Sequence, residues 1–294
     1  MSAFTTRNTR ETLRLACRTA GISDGDAELI RLGENAVFRL PTVGLVARVG
    51  RSPDREPVAR TEVAVAHWLH AHGMPVAAPA EQSPQPLLVE GRVVTFWEEI
   101  PASSPCSPQE LGESLRLLHR LPIPDQLLTP VRPLGRVHER ITAAPLLTRE
   151  EKEFLTRLAD ELDKAFTAAV FELPIAAVHG DAHVDNLIRS QNGRLAWVDL
   201  ESMAIGHPEW DLVLTAIEHE CGWIDETGYA DFVDAYGYDI TAAPAYQVVR
   251  QVRLLRMTSW LAQKMAESDI IRAEVHRRVH DLRTGSSIQG WKAF

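Results

Sequence analysis

The fold is decided by the stretch Val178-His179-Gly180-Asp181-Ala182-His183-Val184-Asp185-Asn186 and by the Asp199-Leu200-Glu201 that follows it. An apolar run from Leu173 to Val178 precedes the stretch and predicts a strand that ends at His179. Asn192-Gly193, flanked by short apolar runs, predicts a β-hairpin after the stretch. Because a hairpin brings its two ends together, we expect the end of the first quoted segment to lie close to the start of the second.

Asp181, Asn186 and Asp199 then form a cluster of oxygen ligands. Such hard ligands suit Mg²⁺, which binds few protein groups and keeps positions for phosphate oxygens and water. The sequence therefore predicts a magnesium site at this point of the chain.

The order His-x-Asp, Asn, hairpin, Asp is similar to the catalytic loop and metal-binding Asp of kinases. Gly180 stands where protein kinases carry Arg, and Leu200-Glu201 replaces Phe-Gly. Together with Gly206-His207-Pro208-Glu209-Trp210-Asp211-Leu212, the motifs resemble the aminoglycoside phosphotransferase family and its choline-kinase-like relatives. Members of that family have the kinase fold and phosphorylate small molecules.

The resemblance implies an α+β, bilobal, protein-kinase-like fold. Residues 1–101 would form a small antiparallel β amino lobe with one αC-like helix, and residues 102–294 a larger, mainly helical carboxy lobe. The local patterns agree with this division. Apolar runs indicate early strands at Ala27–Leu32, Ala36–Leu40 and Leu45–Val49. The predicted helices are one capped by Thr9, one over Val58–His72, and two that begin with capping boxes at Ser107 and Thr148.

The same resemblance assigns roles at the site. Asp181 would orient the acceptor hydroxyl and take its proton late in transfer. Asn186 and Asp199 would hold Mg²⁺, which neutralises charge on the ATP phosphates. His179 would be structural, and Asp211 would cap and buttress the loop that contains it.

Six residues, by resemblance, line the nucleotide site besides the metal ligands. Gly33 and Asn35 belong to the loop Gly33-Glu34-Asn35, whose backbone N–H groups could face phosphate oxygens. Arg48 stands where kinases place the strand Lys that binds the α- and β-phosphates, with a different geometry. Glu62 on the next helix is its expected partner, or else a favourable charge near a helix N-terminus. The backbone of the segment from Glu98 to Ile100 would bind adenine.

The acceptor is read from the segment 195–249, which contains eleven acidic residues and no Lys or Arg. A surface of one sign concentrates ligands of the other sign, so an aminoglycoside-like antibiotic, an amino sugar or another amine is expected. The equally open alternative is a solvated acidic pair of helices, or acidic residues that pair with the basic final helix. The candidate acceptor-site residues are Asp185, Glu201, Trp210, Glu218, Glu220 and Trp260.

Two other classes of function stay open at this point. A metallohydrolase could use His179, Asp181, His183 and Asp185 as ligands of Zn²⁺ or Mn²⁺. A nucleotide-binding pseudokinase is favoured slightly by the Arg at position 48. The intact Asp181, Asn186 and Asp199 argue that catalysis is retained.

Composition excludes several classes. The 294 residues carry 31 Lys+Arg against 40 Asp+Glu, a net charge of -9 that argues against a general nucleic-acid binder. Three scattered cysteines indicate neither a disulfide framework nor a zinc knuckle. The sequence contains no secretory signal and no apolar run long enough to span a bilayer. We expect a cytoplasmic monomer or homodimer that binds ATP, Mg²⁺ and a small-molecule acceptor.

Overall fold

The computed structural model describes residues 4–33 and 35–294. Its helices and strands, in chain order, are α1 (Thr6–Ala20), β1 (Glu28–Leu32), β2 (Asn35–Leu40), β3 (Leu45–Gly50), α2 (Glu56–Ala71), β4 (Leu87–Val89), β5 (Arg92–Glu98), β6 (Ala102–Ser104), α3 (Pro108–Leu118), α4 (Val137–Ala143), α5 (Arg149–Thr167), β7 (Ala176–Val178), β8 (Leu187–Ser190), β9 (Leu195–Trp197), β10 (Ala204–Gly206), α6 (Glu209–Cys221), α7 (Glu226–Tyr236), α8 (Tyr246–Ala262) and α9 (Asp269–Thr284).

The chain folds as two compact units. The first unit contains the described residues up to Cys106, residues 124–128 and residues 184–203, and the second contains residues 107–123, 129–183 and 204–294. The division predicted from sequence, 1–101 and 102–294, remains a prediction. In the structure the hairpin of residues 184–203 packs with the first unit.

A five-stranded antiparallel sheet, in the order β1-β2-β3-β5-β4, is the base of the first unit. Successive side chains of β3 alternate between its two faces. Ala47 and Val49 are buried in a core with Phe38, Phe96 and the α1 residue Leu13. Arg48 lies between them in sequence and therefore points to the opposite face, where it meets helix α2.

Helix α1 begins earlier than the sequence predicted. Its N-cap is Thr5, whose Oγ1 accepts a hydrogen bond from the Asn8 N–H at 3.3 Å. Thr9, the predicted cap, is buried inside the helix, and its hydroxyl donates to the Thr5 carbonyl oxygen at 2.9 Å. The prediction of Thr9 as cap was wrong because Thr9 lies one turn before Leu13 on the apolar stripe of the helix.

Helix α2 confirms the predicted αC-like helix with slightly different ends. It starts at Glu56, before the predicted Val58, because Pro57 is favourable in the first helical turn. Glu62 and Leu69 are among its buried residues.

The predicted hairpin is confirmed in the first unit. Strands β8 and β9 are antiparallel, with Leu187 opposite Trp197 and Arg189 opposite Leu195. Gly193 in the turn has φ +78°, a left-handed conformation that glycine adopts without steric cost.

The second unit is mainly helical. Both predicted capping boxes are present, at Ser107 with Glu110 in α3 and at Thr148 with Glu151 in α5. Helices α3 and α7 pack closely at Gly112, where an added Cβ would lie 2.7 Å from the Phe232 carbonyl oxygen. Helix α8 packs against α4, α5, α6 and α9 and forms the centre of the unit.

The strand before the His-Gly-Asp loop is shorter than predicted. Only Ala176–Val178 form a strand, which pairs antiparallel with β10. The predicted start at Leu173 was wrong because the N–H groups of Glu172 and Leu173 donate to the Glu209 carboxylate, at 2.8 and 3.0 Å, and not to a neighbouring strand. Along the described chain, no helix is long and apolar enough to cross a membrane.

Candidate active site

The loop that follows β7 is held by a buried carboxylate in the second unit. Asp211 in the first turn of α6 accepts hydrogen bonds from the N–H groups of His179 and Gly180, at 2.7 and 2.8 Å. His119 Nε2 lies 3.0 Å from the same carboxylate. Burial opposes ionisation of Asp211, but the hydrogen bond and charge of His119 lower its pKa. This geometry confirms that Asp211 buttresses the loop.

Asp181 is the ionised group that this loop presents. Its side chain is 51% exposed, and its Oδ2 lies 3.8 Å from His183 Nε2. Desolvation raises the pKa of Asp181, but the His183 hydrogen bond and the charges of Arg253, His183 and His179 outweigh it and bring the pKa to about 2. Asp181 is therefore a carboxylate throughout the neutral pH range.

In the first unit, Arg48 and Glu62 form the ion pair that the resemblance predicted. Arg48 Nη1 lies 2.5 Å from Glu62 Oε1, and Arg48 Nη2 lies 3.5 Å from Asp199 Oδ1. Burial opposes the charge of Arg48, yet Glu62, Asp199 and Glu201 raise its pKa. Burial raises the pKa of Glu62, against the effect of Arg48. Arg48 is thus the centre of a group of carboxylates on one side of the sheet.

A second ion pair lies beside the first. Arg55 Nη2, just before α2, is 2.5 Å from Glu201 Oε2, and both residues line a pocket with Arg48 and Glu62. Burial, followed by repulsion from Asp199, raises the pKa of Glu201 against the attraction of Arg55. The prediction placed Glu201 at the acceptor. In the structure it lies with the predicted nucleotide-site residues instead, because the short turn after Asp199 packs on α2.

The two predicted metal ligands lie at the base of the hairpin. The Asn186 carbonyl oxygen accepts a hydrogen bond from the Val198 N–H at 3.0 Å, which brings Asn186 next to the segment leading to Asp199. Asp199 has a left-handed backbone, with φ +57°, and its buried Oδ1 accepts no hydrogen bond from the described residues. A buried amide and a carboxylate oxygen that accepts no hydrogen bond are suitable ligands for a hard divalent cation.

The structure does not support the metallohydrolase alternative, which requires a cluster of His and carboxylate ligands. Within residues 4–33 and 35–294, no group of three or more His, Cys, Asp or Glu side chains could hold a metal ion. His179 is fully buried, and its Nδ1 accepts a hydrogen bond from the Asp181 N–H at 3.3 Å. Asp185 lies exposed in a short helical turn of the first unit. The four residues alternate in sequence, which would place their side chains on one face of an extended strand, but residues 179–185 are not a strand.

Of the other predicted nucleotide-site residues, Asn35 lies at the pocket, whereas Gly33 and Glu98 form backbone hydrogen bonds with nearby residues. Asn35 lines the pocket that contains Arg48. The Gly33 N–H donates to the Asn35 carbonyl oxygen at 3.0 Å, and Arg51 donates to the Gly33 carbonyl oxygen. Glu34 lies outside the described residues. The Glu98 N–H donates to the Ala78 carbonyl oxygen at 2.8 Å, and the predicted binding of adenine by the backbone from Glu98 to Ile100 stays a prediction.

Most of the predicted acceptor residues have structural partners in the second unit. Trp210 is buried, with the Arg253 guanidinium 3.8 Å above its ring. Glu220 accepts hydrogen bonds from Arg250 Nε at 2.9 and 2.8 Å and is also bonded to Tyr246. Trp260 is covered by the ammonium group of Lys264, 3.8 Å from its ring centre. Glu218 is half-buried.

Several other acidic residues of the segment 195–249 bind groups within the second unit, and these groups are not the basic side chains that the alternative interpretation predicted. Asp225 caps α7, and Asp239 accepts hydrogen bonds from Tyr229 and Thr241. The carboxylates of Glu209 and Asp211 accept hydrogen bonds from backbone N–H groups. The excess of acidic residues therefore reflects helix caps, loop supports and the Arg250 pair, which are invisible in a charge count.

Sequence reasoning missed Arg55 and Arg253. Arg55 carries no local signal, because its partner Glu201 is far away in sequence. Arg253 could have been noticed as a charge inside the apolar run Val252–Leu255. Its contacts lie in the catalytic-loop region of the second unit.

Solved structures with the same fold are small-molecule kinases. A choline/ethanolamine kinase family protein from Mesorhizobium loti is 23% identical, covers 95% of this chain and 94% of its own, and superposes with a TM-score of 0.60. Amicoumacin kinase, solved with AMP-PNP and Ca²⁺, is 12% identical over 97% of both chains, with a TM-score of 0.71. Spectinomycin phosphotransferase, solved with ADP and spectinomycin, is 14% identical over 92% and 93%, with a TM-score of 0.66.

The class follows from this fold and from the His-Gly-Asp loop: the chain is a protein-kinase-like enzyme, a phosphotransferase of the small-molecule kinase type. A sequence model of the phosphotransferase enzyme family (APH) matches residues 27–252, and the chain belongs to that family. No curated protein matches the sequence. The predicted α+β fold and family are confirmed.

Proposed function

We propose that the enzyme transfers the γ-phosphoryl group of Mg-ATP to a hydroxyl group of a small molecule. The observation that carries this proposal is the Arg48–Glu62 ion pair, with the buried Asp199 Oδ1 3.5 Å from Arg48 Nη2 and without a hydrogen bond from the described residues. Phosphoryl transfer needs positioning and charge stabilisation more than covalent chemistry. In such a site, the fixed cation Arg48 would bind phosphate oxygens, and the neighbouring carboxylate of Asp199 would bind the metal ion of a metal-nucleotide complex.

Arg48 binds the ATP phosphates in this proposal, and Glu62 holds the guanidinium in place. The group contains two cations, Arg48 and Arg55, and three carboxylates, Glu62, Asp199 and Glu201. This excess of negative charge suits a divalent ion held by Asn186 and Asp199. When bound, Mg²⁺ neutralises charge on the β- and γ-phosphate oxygens.

Asp181 orients the acceptor hydroxyl and receives its proton. Its low pKa, about 2, makes it a weak base before transfer. The carboxylate therefore acts mainly by accepting the hydroxyl hydrogen bond, and proton transfer follows as the new phosphate ester forms. The oxygen–hydrogen bond of the acceptor breaks as its oxygen bonds to phosphorus, and ADP leaves.

The acceptor is an amino alcohol, an amino sugar or an antibiotic. These are the classes named for the fold relatives, which include a choline/ethanolamine kinase family protein and two enzymes named for antibiotics. The acidic segment no longer supports a cation by its charge alone, since Glu220 and its neighbours are engaged elsewhere. A role in antibiotic resistance is one consequence of this proposal.

The test measures ADP formation with Mg-ATP against a panel of amino alcohols, aminoglycosides and spectinomycin-like antibiotics, with and without a chelator. We expect acceptor-dependent ADP formation that the chelator abolishes. Asp199→Asn should raise the Mg²⁺ concentration required and reduce turnover, because the metal loses a charged ligand. An unchanged Mg²⁺ titration would remove Asp199 from the metal site, and turnover without nucleotide would favour a hydrolase.

A further inference from the structure

Arg253 in α8 is a buried cation whose hydrogen-bond partners, among the described residues, are carbonyl oxygens. Its Nη1 donates to the Gly180 carbonyl oxygen at 3.0 Å, and its Nη2 donates to the Trp210 carbonyl oxygen at 2.7 Å. The guanidinium also lies 3.8 Å from the centre of the Trp210 ring. Three contacts in different directions therefore fix the guanidinium plane.

One of these contacts, the hydrogen bond from Nη1, completes the support of Gly180. Asp211 binds its N–H group, and Arg253 binds its carbonyl oxygen. Gly180 has φ +84°, so its conformation depends on such support and on the absence of a side chain. Because the Gly180 carbonyl belongs to the peptide that leads into Asp181, Arg253 helps to determine the direction of the Asp181 side chain.

The positive charge of Arg253 also acts on the carboxylate of Asp181. The charged groups that face Asp181 from the second unit are His183, Arg253 and His179, and together they hold its pKa low against the effect of burial. Arg253 is itself surrounded by Arg256, Asp181 and Asp211, and burial lowers its pKa to about 9. The guanidinium is therefore still charged at neutral pH.

Packing alone does not account for an arginine here. Taking a guanidinium out of water costs on the order of several kcal/mol, and apolar side chains of similar volume are often neutral or stabilising at such positions. A residue that only filled the space beside Trp210 would not need a charge. The Arg253 position lies just beyond the segment that matches the family, residues 27–252.

We propose that Arg253 is a positioning residue for phosphoryl transfer, which fixes the Gly180 carbonyl and keeps a positive charge beside the Asp181 carboxylate. This inference rests on the proposed function, in which Asp181 orients the acceptor. It assigns Arg253 a role in turnover and no contact with the acceptor or the nucleotide.

The experiment compares Arg253→Met and Arg253→Lys with Arg250→Met as a matched control. Arg250 lies on the same helix, is also largely buried, and pairs with Glu220. Folding is first checked by circular dichroism and thermal unfolding. The kcat, the KM for ATP and the KM for the acceptor are then measured over a range of pH values.

We expect Arg253→Met to lower kcat by on the order of 10²-fold, the cost of a small misplacement of a catalytic group, with little change in the KM for ATP. Loss of the positive charge should raise the pKa of Asp181, so the acidic limb of the rate profile should move to higher pH. Arg253→Lys keeps the charge but cannot reach both carbonyl oxygens. It should restore the pH profile and only part of kcat.

Arg250→Met should lose stability and keep both kcat and the pH profile. The proposal is overturned if Arg253→Met keeps the wild-type kcat and pH profile, or if Arg250→Met loses as much turnover. Should Arg253→Met fail to fold, Arg253→Lys decides, because a wild-type kcat in that variant would exclude a requirement for the forked geometry.

Hydrogen exchange separates this proposal from the proposed function. Amide exchange in the segment 176–183 should be faster in Arg253→Lys than in the wild type, and unchanged in Arg250→Met. If the wild-type enzyme phosphorylates no acceptor while this exchange difference is present, the proposed function fails and the support of Gly180 stands. If exchange is the same in all variants, the positioning proposal fails even in an active enzyme.

Discussion

In the first unit, Arg48 lies close to several carboxylates, those of Glu62, Asp199 and Glu201. The guanidinium of Arg48 does not lose its proton at ordinary pH, so Arg48 keeps its positive charge in the ion pair with Glu62. Its forked guanidinium contacts Glu62 with one nitrogen and approaches Asp199 with the other. A lysine ammonium is a single point charge and could not bridge the two carboxylates in the same way.

Substitution of Arg48 should separate the contribution of charge from that of geometry. Arg48→Met leaves Glu62 buried without its cation, which should cost about 3–5 kcal/mol of unfolding free energy and strongly raise the KM for ATP. Arg48→Lys should keep more of both, because the charge is retained. Urea unfolding and ATP titration measure the two effects. Equal ATP affinity in Arg48→Met and the wild type would contradict a role in phosphate binding.

Residue-scale prediction from the sequence succeeded where a motif fixed both partners. The pairing of Arg48 with Glu62 followed from resemblance, and the buttress at Asp211 followed from its position after the Gly-His-Pro turn. Arg55 could not be predicted because its partner Glu201 is distant in sequence. Arg253 is visible in the sequence as a charge inside an apolar run, but its partners could not be predicted because they are distant backbone carbonyl groups. A pattern of residue types carries no information about such contacts.

At the scale of elements, local signals decided the outcome. The capping boxes at Ser107 and Thr148 and the hairpin turn at Asn192-Gly193 were all found where the sequence predicted them. These motifs satisfy their own backbone groups within a few residues, so no tertiary information is needed. The strand from Leu173 was overestimated because a distant side chain, Glu209, satisfies its first N–H groups.

The close packing of α3 on α7 depends on Gly112. Gly112→Ala would place a Cβ 2.7 Å from the Phe232 carbonyl oxygen, and relieving this overlap should cost about 1–3 kcal/mol. Gly25→Ala is the matched control, since a Cβ there meets nothing within 4 Å. Urea unfolding should show a clear loss of stability for the first variant and none for the second. Equal stabilities would contradict the packing described for α3.

The ion pair between α6 and α8 gives a second test at this scale. Glu220→Ala leaves Arg250 and Tyr246 without their shared acceptor, and the loss should be about 1.5–3 kcal/mol for a hydrogen-bonded charge. The KM for the acceptor should be unchanged, because Glu220 is engaged inside the unit. Thermal unfolding and acceptor titration check both parts. A large increase in acceptor KM with unchanged stability would restore Glu220 to the acceptor site.

At the scale of the whole molecule, the sequence predicted the class of fold correctly, and the division into residues 1–101 and 102–294 stays a prediction. An antiparallel sheet with helix α2 between its strands β3 and β4, and a mainly helical remainder, are both observed. The hairpin of residues 184–203 was predicted correctly, yet it packs with the first unit. The packing of a hairpin depends on long-range contacts of its two faces. The packing partner of this hairpin could not be predicted, because its sequence shows only that one face is apolar.

The charge of the whole molecule does not by itself identify the acceptor. The net charge of -9 and the acidic segment are properties of composition. The structure distributes those carboxylates among helix caps, backbone supports and ion pairs. Only side-chain partners could show which carboxylates are already neutralised.

The central claim is that Asp181 directs phosphoryl transfer from a nucleotide to a hydroxyl group. It is tested most directly by mass spectrometry of the acceptor after incubation with Mg-ATP, for the wild type and for Asp181→Asn. We predict a phosphorylated acceptor for the wild type, almost none for Asp181→Asn, and the same ATP affinity for both. Asp181→Asn that forms the phosphorylated product at the wild-type rate would contradict the claim.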